Sequence, residues 1–326
     1  MGTEFNGRVA VITGAGNGLG RAYAMSLASE GALVVVNDIG ATLENGALRY
    51  SADATVAEIT AAGGSAVSSL DNVATPEGAS NIIQTALAAF GRIDILINNA
   101  GIARHKPFED CSVTDLREIV ATHLEGGFLV TQSAYRHMRE AGYGRILFTA
   151  SNSATFGMPW ATAYAAAKGG LLGLMKVLAL EGAPYGVLCN ALLPGAFTGM
   201  AQKLDPAAIP EAFQGLYLAC ARIEDRFTPE FVSPLVSYLV SEACSVSGEI
   251  YSAQSGHYAR VFSGIGAGWT SPHELPPSRE EIGRHFAEIR ACGRFSVPVD
   301  AIADVNATGD ALDAIRDRAA VRRPAD

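Results

Sequence analysis

Residues 13–20 read TGAGNGLG. The apolar run RVAVIT (8–13) leads into them, and the spacing of apolar residues over 18–30 predicts a helix directly after. A strand, a glycine-rich turn and a helix in succession make a common glycine pattern informative. Gly14 permits the tight turn. Gly18 and Gly20 let the backbone approach a pyrophosphate and let the helix pack closely on the strand. The backbone around Asn17, Gly18, Leu19 and Gly20 then turns the free N–H groups of a helix start toward a phosphate.

The alternation that begins here continues along the chain. LVVVN (33–37), Ala66–Leu70, IDILINNA (93–100), RILFTA (145–150), VLCNALLPG (187–195) and GEIYSAQ (248–254) predict six further strands. Helical spacing separates them at about 51–62, 76–90, 112–139, 161–183 and 231–243. Strands that are apolar throughout and alternate with helices imply a parallel sheet buried on both faces. The expectation is an α/β fold, a doubly wound seven-stranded parallel sheet of Rossmann type. Residues 196–230 lack a strand and read as a substrate lid or a fixed cap. Beyond residue 255 the character changes: Gly, Pro and Ser cluster over 263–278, and a charged amphipathic helix follows at about 279–291. Residues 1–255 are therefore expected to form the main domain, and 256–326 an extension without room for its own core.

The chain has 326 residues, 49% of them apolar, which sustains a large core and excludes wholesale disorder. A net charge of −9 disfavours nucleic acid as a partner. The five cysteines are scattered and form no CxxC pair, as in a reducing compartment without a zinc site or disulfide frame. No signal-peptide pattern precedes the first strand, the apolar run LLGLMKVLAL is short and carries Lys176, and RRPAD is not a peroxisomal address. A cytoplasmic protein that does not engage a membrane is expected.

Asp38 lies just past the second strand, 18 residues after Gly20. An acid there accepts hydrogen bonds from adenosine ribose hydroxyls and repels a 2′-phosphate, which favours NAD over NADP. Tyr164 and Lys168 occur as YAAAK, on one helix face. An ammonium beside a phenol lowers its pKa from about 10, so such a tyrosine can exchange a proton with an alcohol oxygen. Ser151 ends the fifth strand, where ligands bind in this architecture, and can orient the same oxygen. The histidines lack metal-ligand spacing, and Ser151 is not in a GxSxG elbow.

Together these motifs resemble the short-chain dehydrogenase/reductase family over about residues 5–255. TGAGNGLG is similar to its TGxxxGxG turn, and NNAG (98–101, with Asn99, Ala100 and Gly101) to its fourth-strand motif. Ser151, Tyr164 and Lys168 match its Ser–Tyr–Lys set. PGAFTGM (194–200) looks like its PG motif, which implies that Pro194, Gly195 and Thr198 contact the nicotinamide amide. Asp71, Asn72 and Val73 fall where members hold the adenine. GRVAVITGAGNGLGRAYA, GALVVVND, FGRIDILINNAGI and GAGW (266–269) further resemble the dehydrogenase units of the type 2 peroxisomal multifunctional enzymes. That resemblance implies NAD-dependent oxidation of a hydrophobic secondary alcohol: a (3R)-hydroxyacyl-CoA or, as in related members, a 17β-hydroxysteroid. It also implies a homodimer or homotetramer in which the extension takes part. The segment after Pro194 follows the wider family rather than the subgroup. A general carbonyl or alcohol dehydrogenase and a non-catalytic NAD-binding regulator are the alternatives.

His123, in VATHLEGG (120–127), lies on the stripe Leu116, Val120, His123, Gly127 and is expected to face inward. The resemblance implies that it replaces an Asn whose carbonyl supports a proton relay, as it does in the subgroup. Two roles stay open for it, a backbone support near Lys168 and a direct base.

Overall fold

The computed structural model describes residues 4–44, 47–197, 211–272 and 275–321. It divides into two compact units, Met1–Val261 and Phe262–Asp326.

The first unit begins with strand β1 (Val9–Thr13), helix α1 (Gly18–Ser29) and β2 (Leu33–Asn37). A small hairpin follows, β3 (Ala41–Glu44) with β4 (Ala47–Tyr50), and then α2 (Ser51–Ala61), β5 (Ser65–Ser69), α3 (Pro76–Phe90) and β6 (Ile95–Asn98). The long helix is α4 (Val113–Val120), a π turn (Ala121–Glu125) and α5 (Gly126–Ala141). Next come β7 (Gly144–Thr149), the short α6 (Asn152–Phe156), α7 (Thr162–Gly182) and β8 (Val187–Gly195). Helices α8 (Glu211–Ala221) and α9 (Ser233–Val240) and strands β9 (Ile250–Gln254) and β10 (His257–Val261) complete the unit.

The main sheet runs β10-β9-β8-β7-β6-β1-β2-β5, parallel except for β10. Chain order reverses between β1 and β6, so the turn after β1 and the loop after β6 flank the crevice where this architecture binds ligands. Alternate strand residues feed opposite cores. Val9, Val11, Leu96 and Phe148 pack with Ile82, Val130, Leu171 and Met175 on one face, while Ala10, Ile12, Ile97 and Leu147 pack with Tyr23, Leu27, Val236 and Leu239 on the other. Each such fully buried aliphatic side chain contributes about 1.5–3 kcal/mol.

Eight strands replace the seven expected, and the unit extends to Val261. The added β10 folds back on β9 through Ser255 and Gly256, both at positive φ (51° and 82°), the backbone of a two-residue hairpin turn. It is an edge strand with exposed His257, Tyr258 and Arg260, so no buried apolar run marks it in the sequence. The β3–β4 hairpin was equally unexpected: its residues are largely exposed and lie outside the strand–helix alternation. Helix α7 with the turn after it (Thr162–Tyr185) is long and apolar enough to cross a membrane by length and composition. In this fold Ala163, Ala167, Lys168, Leu171, Met175 and Ala179 are its buried face.

In the second unit β11 (Ile265–Gly266) pairs with β12 (Phe295–Ser296), and helices α10 (Arg279–Ile289) and α11 (Ala301–Val321) accompany them. Ile282, Phe286 and Ile289 line one side of α10 and remain substantially exposed.

Candidate active site

The glycine turn is held by a latch between β1 and β6. The Thr13 hydroxyl accepts hydrogen bonds from the Asn99 and Ala100 N–H groups, both at 3.0 Å. In return the Asn99 amide donates to the Thr13 and Gly14 carbonyls at 3.0 and 3.1 Å. Gly14 (φ 63°) and Gly18 (φ 55°) adopt left-handed backbone. Gly20 has no room for a side chain, because a Cβ there would lie 2.3 Å from the Gly14 carbonyl oxygen. No side chain caps the start of α1 at Asn17. The first-turn N–H groups of α1 therefore remain for an anion, which fits a dinucleotide pyrophosphate.

Asp38 sits beside that turn. Its Oδ2 accepts from Gly16 N–H at 3.0 Å and its Oδ1 from Gly40 N–H at 2.7 Å, so the carboxylate is fixed at the end of β2 with lone pairs to spare. The neighbouring Asn37, fully buried, donates to the Asp71 carbonyl at 2.9 Å and joins the ends of β2 and β5. The Asp71 carboxylate is held by Asn81 and Ser69, and the Asn72 side chain accepts from Ala74 N–H. Val73 is part of the core, so its backbone is what it can offer a ligand.

Ser151, Tyr164 and Lys168 come together beyond the end of β7. Ser151 Oγ caps α6 by accepting from Ser153 N–H (3.2 Å), lies 2.9 Å from Ser153 Oγ, and hydrogen-bonds Tyr164. Lys168 Nζ, fully enclosed, donates to the Thr149 carbonyl at 2.5 Å and sits 5.7 Å from the Tyr164 ring centre. Burial pushes the Lys168 ammonium down to about 7. Burial also raises the Tyr164 phenol, with the Ser151 hydrogen bond acting in the opposite direction. The Lys168 ammonium is turned to the Thr149 carbonyl, and desolvation is the largest influence on the phenol.

His123 is buried at the π turn, where the long helix bends. Its Nε2 lies 3.0 Å from Ile102 N and 2.7 Å from Ile102 O, and its ring meets the Tyr164 ring edge-on at 5.2 Å. Burial and the Lys168 charge push the imidazole down to about 3. Gly101 packs on this ring. The inward stripe differs from the expected one. Leu116 is 41% exposed, and Asp115 and Ile119 face in instead. Asp115 turns inward because it closes a capping box with Ser112 and takes an ion pair from Lys106 at 2.7 Å.

The substrate side is walled by loops. The Lys106 N–H donates to the Trp160 carbonyl at 3.0 Å and fastens the loop after β6 to the segment between Ser151 and Tyr164. Trp160 holds φ 62°, a strained backbone for a bulky residue and one that recurs at binding sites. Phe156 is 71% exposed, so it is no part of the core packing. Pro194 and Gly195 end β8 beside β9, and Phe197 meets Phe227 edge-on at 5.0 Å. Thr198 lies outside the described residues, as does 198–210 of the lid segment. Among the described residues no group of three or more His, Cys, Asp or Glu could hold a metal.

The profile of the family described as short chain dehydrogenase matches residues 8–208. The chain belongs to the short-chain dehydrogenase family. It is an oxidoreductase of that family, whose members bind a nicotinamide dinucleotide. A short-chain type dehydrogenase/reductase of Mycobacterium tuberculosis is 44% identical over 86% of this chain and 93% of its own length. A hydroxyacyl-CoA dehydrogenase of the same organism is 33% identical over 84% of this chain and 87% of its own. The full-length peroxisomal multifunctional enzyme type 2 of Drosophila melanogaster superposes with a TM-score of 0.76, with 31% identity over 96% of this chain. The chain spans 50% of that protein, and 32% of the mouse enzyme of the same name, to which it is 41% identical.

Several working parts of this short-chain dehydrogenase site were not singled out by sequence reasoning. Thr13, Ile102, Thr149 and Ser153 act through hydroxyl and backbone groups. Only Thr13 and Thr149 carried a signal, as polar residues at the tips of two buried strands.

Proposed function

We propose that the chain is an NAD-dependent dehydrogenase that interconverts a secondary alcohol and a ketone on a (3R)-hydroxyacyl-CoA. The observation that carries this is the convergence of Ser151, Tyr164 and Lys168 at the end of β7, beside the crevice formed by the glycine turn and the loop after β6. When bound, NAD⁺ supplies the hydride acceptor. Ser151 Oγ, polarised by its Ser153 contacts, holds the substrate oxygen. Tyr164 takes the hydroxyl proton on oxidation and returns it on reduction. Since burial raises this phenol, deprotonation requires the Lys168 ammonium to stay charged nearby. The thioester is supported by the relative named hydroxyacyl-CoA dehydrogenase, and an exposed Phe156 at the end of α6, the helix that Ser151 caps, suits an acyl chain.

An NAD⁺-reduction assay tests this reading. The (3R)-hydroxyacyl-CoA is expected to give the highest kcat/KM, above its (3S) epimer, hydroxysteroids and free secondary alcohols. Equal rates with free alcohols would make the enzyme a general alcohol dehydrogenase. No reduction with any of them would leave only a regulatory NAD-binding role.

The choice of NAD rests on Asp38. Its fixed carboxylate receives the ribose hydroxyls and repels a 2′-phosphate. Asp38→Ala is expected to weaken NAD⁺ by about tenfold or more, the strength of a hydrogen bond to a charged group, while NADP⁺ gains. Fluorescence titration with both reduced dinucleotides measures it; an unchanged ratio refutes the assignment. Homodimer formation is part of the same reading: Val177 and Leu180 on α7 and Phe128 on α5 are exposed apolar residues, and Gly173 on α7 leaves space for a close approach.

A further inference from the structure

Two buried polar atoms beside the site, Asn98 Oδ1 and His123 Nδ1, have no hydrogen-bond partner. Both residues line one cavity of about 10 Å³ between the end of β6 and the π turn, closed on its apolar side by Val73 and Leu171. That is the space of a single water, and a buried polar void of this size with convergent polar groups holds one. Asn98 is already fixed, since its Nδ2 donates to Thr131 Oγ1 at 2.8 Å and leaves Oδ1 as an acceptor. On the far side of the imidazole, one nitrogen faces both polar groups of Ile102, the N–H at 3.0 Å and the carbonyl at 2.7 Å. A ring nitrogen serves one of them at a time. Nε2 accepts from the Ile102 N–H when the ring proton is on Nδ1, the cavity side, and donates to the Ile102 carbonyl when the proton is on Nε2.

We infer that one buried water accepts from His123 Nδ1–H and donates to Asn98 Oδ1, and that this bridge makes His123 a positioning residue for the loop Asn99–Ile102 and the Tyr164 ring. The imidazole stands at a junction. It ties to Ile102, it packs so closely on Gly101 that a Cβ there would lie 2.3 Å from Cε1, and it abuts the Tyr164 ring. The same loop carries Asn99, which latches the glycine turn. A tautomer flip would turn Nε2–H to the Ile102 carbonyl and leave the Ile102 N–H without its acceptor. A second proton would put a charge in a buried pocket near Lys168. The bridging water gives Nδ1–H its acceptor and Asn98 Oδ1 its donor. An asparagine at 123 would need no water, because its amide can accept from Ile102 N–H and donate to Ile102 C=O together.

The water and the tautomer are independent of the substrate proposed above; only the kinetic arm rests on Tyr164 as the acid/base. The first experiment is ¹⁵N NMR of histidine-labelled enzyme without substrate, together with a crystal structure that resolves buried waters. His123 is expected to stay neutral with its proton on Nδ1 across the range where ordinary histidines titrate, about pH 5 to 8. The cavity is expected to hold one water. A proton on Nε2, a titrating ring or a dry cavity overturns the inference. The second experiment is kinetic. His123→Leu is expected to lower kcat by about a hundredfold through misplacement, with the pH profile unmoved. His123→Asn is expected to recover most of that loss, again with the pH profile unmoved. Loss of the acid limb in His123→Asn would make the imidazole a proton carrier and overturn the positioning role. Should His123→Leu fail to fold, the NMR and crystallographic arms on the native chain decide alone. Failure of the substrate assay with intact His123 signals would count against the proposed function and not against the bridge.

Discussion

Tyr164→Phe is expected to lower turnover by about 10²–10⁴-fold while leaving NAD⁺ binding close to native. The substitution removes one oxygen and keeps the ring. That ring packs near Ile119, Ala163 and Ala167, and it meets the His123 imidazole edge-on, so phenylalanine has the same seat. The Ser151 hydrogen bond and the hydroxyl proposed to exchange a proton with the substrate oxygen are lost. Such a change should reduce kcat and kcat/KM together, because the missing interaction belongs to the transition state. The dinucleotide seat on Thr13, Gly14 and Asn99 lies on other elements and is untouched. Steady-state kinetics and NADH fluorescence titration on the same preparation check both halves. Substantial remaining activity would remove Tyr164 from the mechanism.

The parts of this site that were legible in the sequence share one property: each is local. TGAGNGLG joins a strand to a helix, and Tyr164 and Lys168 are one helical turn apart. Ser151 directly follows a buried run. What was not legible depends on chain neighbours far apart in sequence. The Thr13 hydroxyl matters because β1 pairs with β6, which brings Asn99 and Ala100 to it from 86 and 87 residues away. The Ile102 backbone matters because the π turn aims His123 at it from 21 residues further on. Leu116 reads as an inward residue on spacing, but the capping box and the Lys106 ion pair draw Asp115 inward in its place. The raised Tyr164 phenol follows the same logic. A sequence displays the lysine one turn away, whereas the burial that raises the phenol exists only once α4 and α7 are packed.

Gly20→Ala tests the other half of the proposal, the dinucleotide seat. The added Cβ would lie 2.3 Å from the Gly14 carbonyl oxygen, 2.5 Å from Asn99 Nδ2 and 2.9 Å from Ala15 Cα. Two of these three are backbone atoms and cannot rotate away. Gly14 is held in its left-handed turn, and its carbonyl already accepts from Asn99. Relief therefore requires α1 to move off the turn or the Asn99 latch to open. Either shift carries the first-turn N–H groups of α1 out of line with a bound pyrophosphate. Overpacking of this kind costs about 1–3 kcal/mol of stability. Losing one hydrogen bond to a charged phosphate weakens the dinucleotide by about tenfold to a hundredfold. Thermal melting and NADH titration read the two effects separately. Gly215→Ala is the matched control: it lies within α8, its Cβ meets nothing within 4 Å, and alanine in a helix interior is expected to raise stability by up to about 1 kcal/mol. If Gly20→Ala bound NADH as tightly as Gly215→Ala, the pyrophosphate could not lie on the start of α1, and the assignment of TGAGNGLG as its cradle would have to be given up.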